Sequence, residues 1–178
     1  MRLILSMLVL AAPAFAECPA APDIAGREDG LFAQMSSAEN ELAAREVSDG
    51  LWELWVMAPD EAAQEMLDEG MARREGYNFV GAIDVLDRLV EYCPDYAEGW
   101  NQRAFVHFLR QDFEAALADL DVAIDLNPRH VGALSGKALT LVGLGRKAEA
   151  ELALRAALEL NPWLSERHLL DVLAGEDI

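Results

Sequence analysis

The chain has 178 residues, with 32 acidic against 14 basic side chains and a formal net charge of −18. That balance argues against a nucleic-acid partner, whose phosphates call for Lys and Arg, and against anionic membrane surfaces. A partner steered by charge would be basic, and the length fits one domain.

The first element is a targeting segment. Arg2 precedes an apolar run from Leu3 to Leu10, and Ala14-Phe15-Ala16 is an A-x-A cleavage signal, so 1–16 reads as a signal peptide with Glu17 as first mature residue. The run is far short of the ~20 residues that span a bilayer. Glu17 directly before Cys18 argues against lipidation. The expectation is an exported, periplasmic protein without integral membrane association.

Residues 17–35 carry Pro19, Pro22, Gly26 and Gly30 with little periodicity, and read as an extended arm. Residues 36–58 read as one leading helix whose apolar area, Leu51, Leu54, Trp55 and Val56, gathers at its C-terminal end beside Trp52. Stepping back one period from Ala63 puts Trp52 and Trp55 at second-helix core positions. The segment then reads as a half-repeat packed on the first repeat, with both tryptophans in the core. Cys18 and Cys93 are a candidate disulfide in an oxidising compartment, pinning the arm to the end of the first repeat. The alternative is a buried Cys93 and a frayed Cys18.

Pro94, Pro128 and Pro162 stand 34 residues apart and close the phrases LVEYCP, AIDLNP and ALELNP. A step of that length is one helix–turn–helix repeat. Three repeats, 63–96, 97–130 and 131–164, fill the stretch 60–164. Phe113, Ala116, Leu117, Leu120 and Ile124 form one helical stripe in the middle repeat. Asp95 and Glu98 read as a capping box, and Gly143 and Gly145 as a helix end. Residues 165–178 read as a capping helix, with Trp163, Leu164, Leu169, Leu170 and Leu173 covering the open end and a frayed tail from Gly175.

The middle repeat, with Trp100, Ala104, Ala116, Leu120, Ala123 and Pro128 in place, resembles the tetratricopeptide repeat family. The third repeat follows with Leu134, Ala138, Leu141, Ala150, Leu154, Ala157 and Pro162. The first, more degenerate, has Gly70, Ala82, Leu86, Leu89 and Pro94. The resemblance implies an all-α, right-handed helical-hairpin solenoid. It also implies a concave groove that takes a partner peptide or helix, lined by Gln64, Leu67, Met71, Arg74, Glu98, Asn101, Phe105, Phe108, Ser135 and Leu139. The carboxylate clamp of co-chaperone members is absent: Leu67, Met71 and Gly132 stand at its positions.

A search for chemistry returns nothing. His107, His130 and His168 lack ligand spacing, so no metal or cofactor is expected, and His107 reads as a satisfied core histidine. Asp119, Asp121 and Asp125 lack the Gly and Glu of a calcium loop and read as a solvated helix face. No nucleophile elbow, phosphate loop or dinucleotide fingerprint occurs, so no catalytic residue is assigned. The expected function is a monomeric, non-catalytic scaffold or adaptor of the bacterial cell envelope that binds another protein or peptide. Alternatives are a structural subunit acting by self-association, or a hydrolase or transferase with a cleft between the N-terminal helix and the repeats.

Overall fold

The computed structural model describes residues 17–173. The signal-peptide reading of 1–16 and the expected tail from Gly175 lie outside these residues. Three helical hairpins stack in sequence: α3 (Glu61–Glu75) with α4 (Phe79–Tyr92), α5 (Ala97–Leu109) with α6 (Phe113–Leu126), and α7 (Val131–Gly143) with α8 (Lys147–Leu160). Two further helices precede them, α1 (Ala25–Ser36) and α2 (Glu41–Trp55). A 3-10 turn (Ser165–His168) and a short α9 (Leu169–Leu173) follow. The described residues contain no strand, and the fold is an all-α repeat solenoid.

Each hairpin turns in the same way. Tyr77, Gln111 and Gly145, again 34 residues apart, all adopt positive φ (58°, 62° and 73°). The next residue's N–H reaches back to Arg73, His107 and Leu141 respectively, the Schellman closure of a helix end. Gly145 adopts this conformation at no steric cost, whereas Tyr77 and Gln111 bear a Cβ penalty. Starts are capped more variably. Asn40, Asp60 and Asn78 accept the N–H of Ala43, Ala63 and Gly81. Asp95 does not cap α5; Tyr96 occupies that position without a side-chain bond, and Glu98 turns inward.

Leu67, Leu86, Leu89 and Val106 form the core of the first two hairpins, and Leu117, Leu141, Leu154 and Leu173 that of the last. Leu169 and Leu170 pack on this second cluster, and the described part of the expected capping segment, 165–173, is a 3-10 turn followed by α9. Trp163 and Leu164 do not join it; they pack with α1 and α2.

The N-terminal region departs most from expectation. Residues 17–24 carry no regular secondary structure, but 25–36 are helical and α2 begins only at Glu41. Gly26 and Gly30 each cost α1 about 1 kcal/mol of helix propensity. Leu31, Phe32 and Met35 offset that by packing on α2. The resulting hairpin is not stacked on the first repeat. Its apolar face, Met35, Val47, Leu51 and Trp55, meets Val131, Leu160, Trp163 and Leu164 of the third.

Candidate interaction groove

The proline-bearing turns form one edge of the solenoid, and the N-terminal segment is fastened along that edge at equivalent repeat positions. The residue before each proline is Cys93, Asn127 or Asn161. Cys93 is in a disulfide with Cys18, 75 residues away in sequence. Asn127 donates to Glu28 Oε1 (3.1 Å), and Asn161 donates to Ser48 Oγ (3.2 Å). The two asparagines also accept the N–H of Arg129 and Trp163 within their own turns. One register of the repeat therefore holds the arm, α1 and α2 in succession.

Glu28 is the central fastening, only 4% exposed. Its carboxylate accepts from Trp55 Nε1 (2.9 Å), Asn127 Nδ2 and Arg129 Nη2 (2.8 Å). Trp55 stacks on His130 with ring centroids 4.1 Å apart. Tyr96 donates its hydroxyl to the Trp55 carbonyl (2.8 Å), and burial, with Glu98 nearby, pushes that phenol well above its usual range.

Under this hairpin lies a polar cluster. His130 Nδ1 accepts the Ala133 N–H and so caps α7. The ring proton therefore sits on Nε2, which donates to Glu98 Oε2 at 2.7 Å. Gln102 and Asn101 donate to the same carboxylate, and Arg74 donates to Gln102. Glu98, 1% exposed, is thus an internal acceptor and not a groove residue. Leu67 is likewise in the first core, and Met71 packs against it. Gln64 is taken up by the Ala58 N–H and Asp68.

What stays open is a concavity of about 320 Å³ bordered by α3, α5 and α7. Arg74, Asn101, Phe105, Phe108, Ser135 and Leu139 line it together. Trp52, Gln102, Thr140 and Glu166, which sequence reasoning did not assign to it, line it as well. Trp52 is 40% exposed and forms a wall there, while Trp55 is buried, so the two tryptophans take different roles. Arg74 lies 4.9 Å from the Phe105 ring centroid; burial lowers its pKa, and Glu75 and Glu98 oppose that shift.

Two acid–base expectations change. Asp119 is buried, not solvated, and accepts both Arg103 Nε and Nη2 (2.8 and 2.6 Å). These bonds raise the Arg103 pKa. His107 is half-buried near Asp112 and Asp119, and its Nδ1 has no hydrogen-bond partner. Among the described residues no group of three His, Cys, Asp or Glu could hold a metal ion. No described helix is long and apolar enough to cross a membrane.

The tetratricopeptide repeat model matches residues 131–162. A TPR repeat-containing protein of Rhizobium etli is 27% identical over 136 residues, which cover 76% of this chain and 67% of that protein. A tetratricopeptide repeat protein 36 homolog of Nematostella vectensis is 37% identical over 76 residues, 43% of this chain and 41% of the relative. Among solved structures, the first TPR domain of Spaghetti (RPAP3), bound to an HSP90 peptide, superposes with a TM-score of 0.63 at 23% identity, covering 64% of this chain and 91% of that one. The TPR2B domain of yeast Sti1, in a pHsp70 complex, gives 0.59 at 25%, covering 64% and 94%. The chain is thus similar to tetratricopeptide repeat proteins, by a repeat model over 131–162, by named relatives and by its fold.

Proposed function

We propose that the protein is a non-catalytic interaction scaffold or adaptor that holds a segment of another protein in the open half of its groove. The observation that carries this reading is the groove itself. Phe105, 44% exposed, Phe108 and Leu139 offer apolar area, and Asn101 and Ser135 stand beside them with amide and hydroxyl groups. Such a surface suits a peptide or helix held by packing and a few hydrogen bonds. Of the two structural neighbours one carries an HSP90 peptide and the other is a pHsp70 complex, which favours the same use of the fold here. The chain's excess of acids, with a groove lined by only two ionised side chains, Arg74 and Glu166, favours a partner with basic flanks. The cell envelope, and the periplasm of a bacterium, is the proposed setting. The A-x-A segment and the Cys18–Cys93 bridge favour export to an oxidising compartment. We take the protein as a monomer.

The test is photocrosslinking in the native envelope, with a photoreactive phenylalanine analogue at position 105 and, as control, at Val80, exposed on α4. Adducts that form at 105 and not at 80 support the groove. Equal adducts at both positions, or none at 105, overturn it.

A further inference from the structure

We propose that the groove holds an arginine side chain of the partner segment, its guanidinium against the Trp52 indole and its charge on Glu166; this rests on the groove reading above. Trp52 and Glu166 reach the same concavity from different elements, α2 and the 3-10 turn that follows α8. Among the described residues, no arginine or lysine stacks on Trp52 or pairs with Glu166. The Glu166 carboxylate accepts only the hydroxyl of its neighbour Ser165 (3.1 Å).

The chain itself shows what such a pair accepts. Arg103 lies 4.8 Å from the Trp100 ring centroid and bonds the carboxylates of Asp119 and Asp87. Arg129 lies 5.1 Å from the Phe32 ring centroid and bonds those of Glu28 and Asp29. In both places an aromatic face and a carboxylate share one guanidinium, which is planar, stacks on the ring and donates from its edge. Trp52 and Glu166 are an aromatic face and a carboxylate in one concavity, without that cation.

The charge around the groove favours the same occupant. Arg74, the other ionised side chain of the lining, lies over Phe105, donates to Gln102, has Glu75 at 3.6 Å and feels the charge of Glu98. Glu166 is thus the ionised group of the lining that no opposite charge offsets, in a chain of net charge −18. A partner aspartate or glutamate would be repelled by Glu75, Glu98 and Glu166. Phenylalanine or leucine would take water from the Glu166 carboxylate and offer it no partner. A lysine ammonium meets the charge, but it lacks the flat face and holds its water more strongly than a guanidinium does.

The experiment titrates the isotope-labelled, oxidised protein with N-acetyl-argininamide, with N-acetyl-citrullinamide, its neutral isostere, and with N-acetyl-lysinamide, following backbone amide and indole N–H shifts. The expected result is shifts at Trp52, Phe105, Leu139 and Glu166, with the arginine derivative bound about three- to thirtyfold more tightly than the citrulline one, the worth of an exposed ion pair together with a cation–π contact. Added salt should narrow that difference. Glu166→Gln should remove most of it while the remaining spectrum stays unchanged, and Trp52→Leu should weaken arginine binding about two- to fivefold. Equal affinity of the arginine and citrulline derivatives, a preference undiminished in Glu166→Gln, lysine bound as tightly as arginine, or no shift at Trp52 and Glu166 overturns the arginine assignment. The groove itself stands or falls separately, on crosslinking at position 105.

Discussion

Removing the Glu28 carboxylate should detach the N-terminal hairpin from the turn edge. In Glu28→Ala, Trp55 Nε1 and Asn127 Nδ2 both lose their acceptor, at 2.9 and 3.1 Å. Arg129 loses one of two carboxylates but keeps Asp29 at 2.6 Å, and its side chain is 37% exposed. Breaking a fully buried charged pair costs about 3–5 kcal/mol. Arg129 remains hydrated and paired, so its share is small. The orphaned indole N–H dominates, at about 1–3 kcal/mol. The expected loss is therefore about 3 kcal/mol in urea unfolding of the oxidised chain beginning at Glu17. Glu28→Gln keeps one acceptor oxygen for Trp55 and should lose about half as much. A loss below about 1 kcal/mol for the alanine variant would refute the reasoning, because it would mean the hairpin is held by apolar packing alone.

Cys93→Ser opens a crosslink between residues 75 apart in sequence and should cost about 4 kcal/mol in the chain-entropy model, matched by reduction of the unmutated protein in thermal unfolding. Gln111→Gly relieves a side chain held at φ 62° and should raise stability by about 0.5–1 kcal/mol in denaturant unfolding, whereas Gln111→Val should lower it. The Asp60 carboxyl titrates below its ordinary value, because the Ala63 N–H and then the Tyr92 hydroxyl bond its charged form. Its contribution is thus present above the unfolded-state pKa near 4 and fades as pH falls through the lower folded value. Asp60→Asn should flatten that acid limb of the stability–pH curve and leave the neutral range unaltered in slope.

The 34-residue period was legible in the prolines, and with it the three hairpins. Each is built from short-range contacts: the Schellman closures at Tyr77, Gln111 and Gly145, five residues long, and packing between helices adjacent in sequence. Phe105, Phe108, Asn101, Ser135 and Leu139 were legible as groove residues for the same reason: a helix face follows from the phase of its repeat. The N-terminal region was not. Its two exposed glycines and weak periodicity give little local signal, and its place depends on partners such as Asn161, 113 residues from Ser48. The same non-local docking converted Glu98 from a groove residue into a buried acceptor and brought Trp52 to the groove wall. Local periodicity alone determined the repeating unit, because hairpin packing recurs within each period. Only the tertiary structure decided which half of the groove stays open, because the element that covers the rest is held by a side-chain register no local pattern encodes.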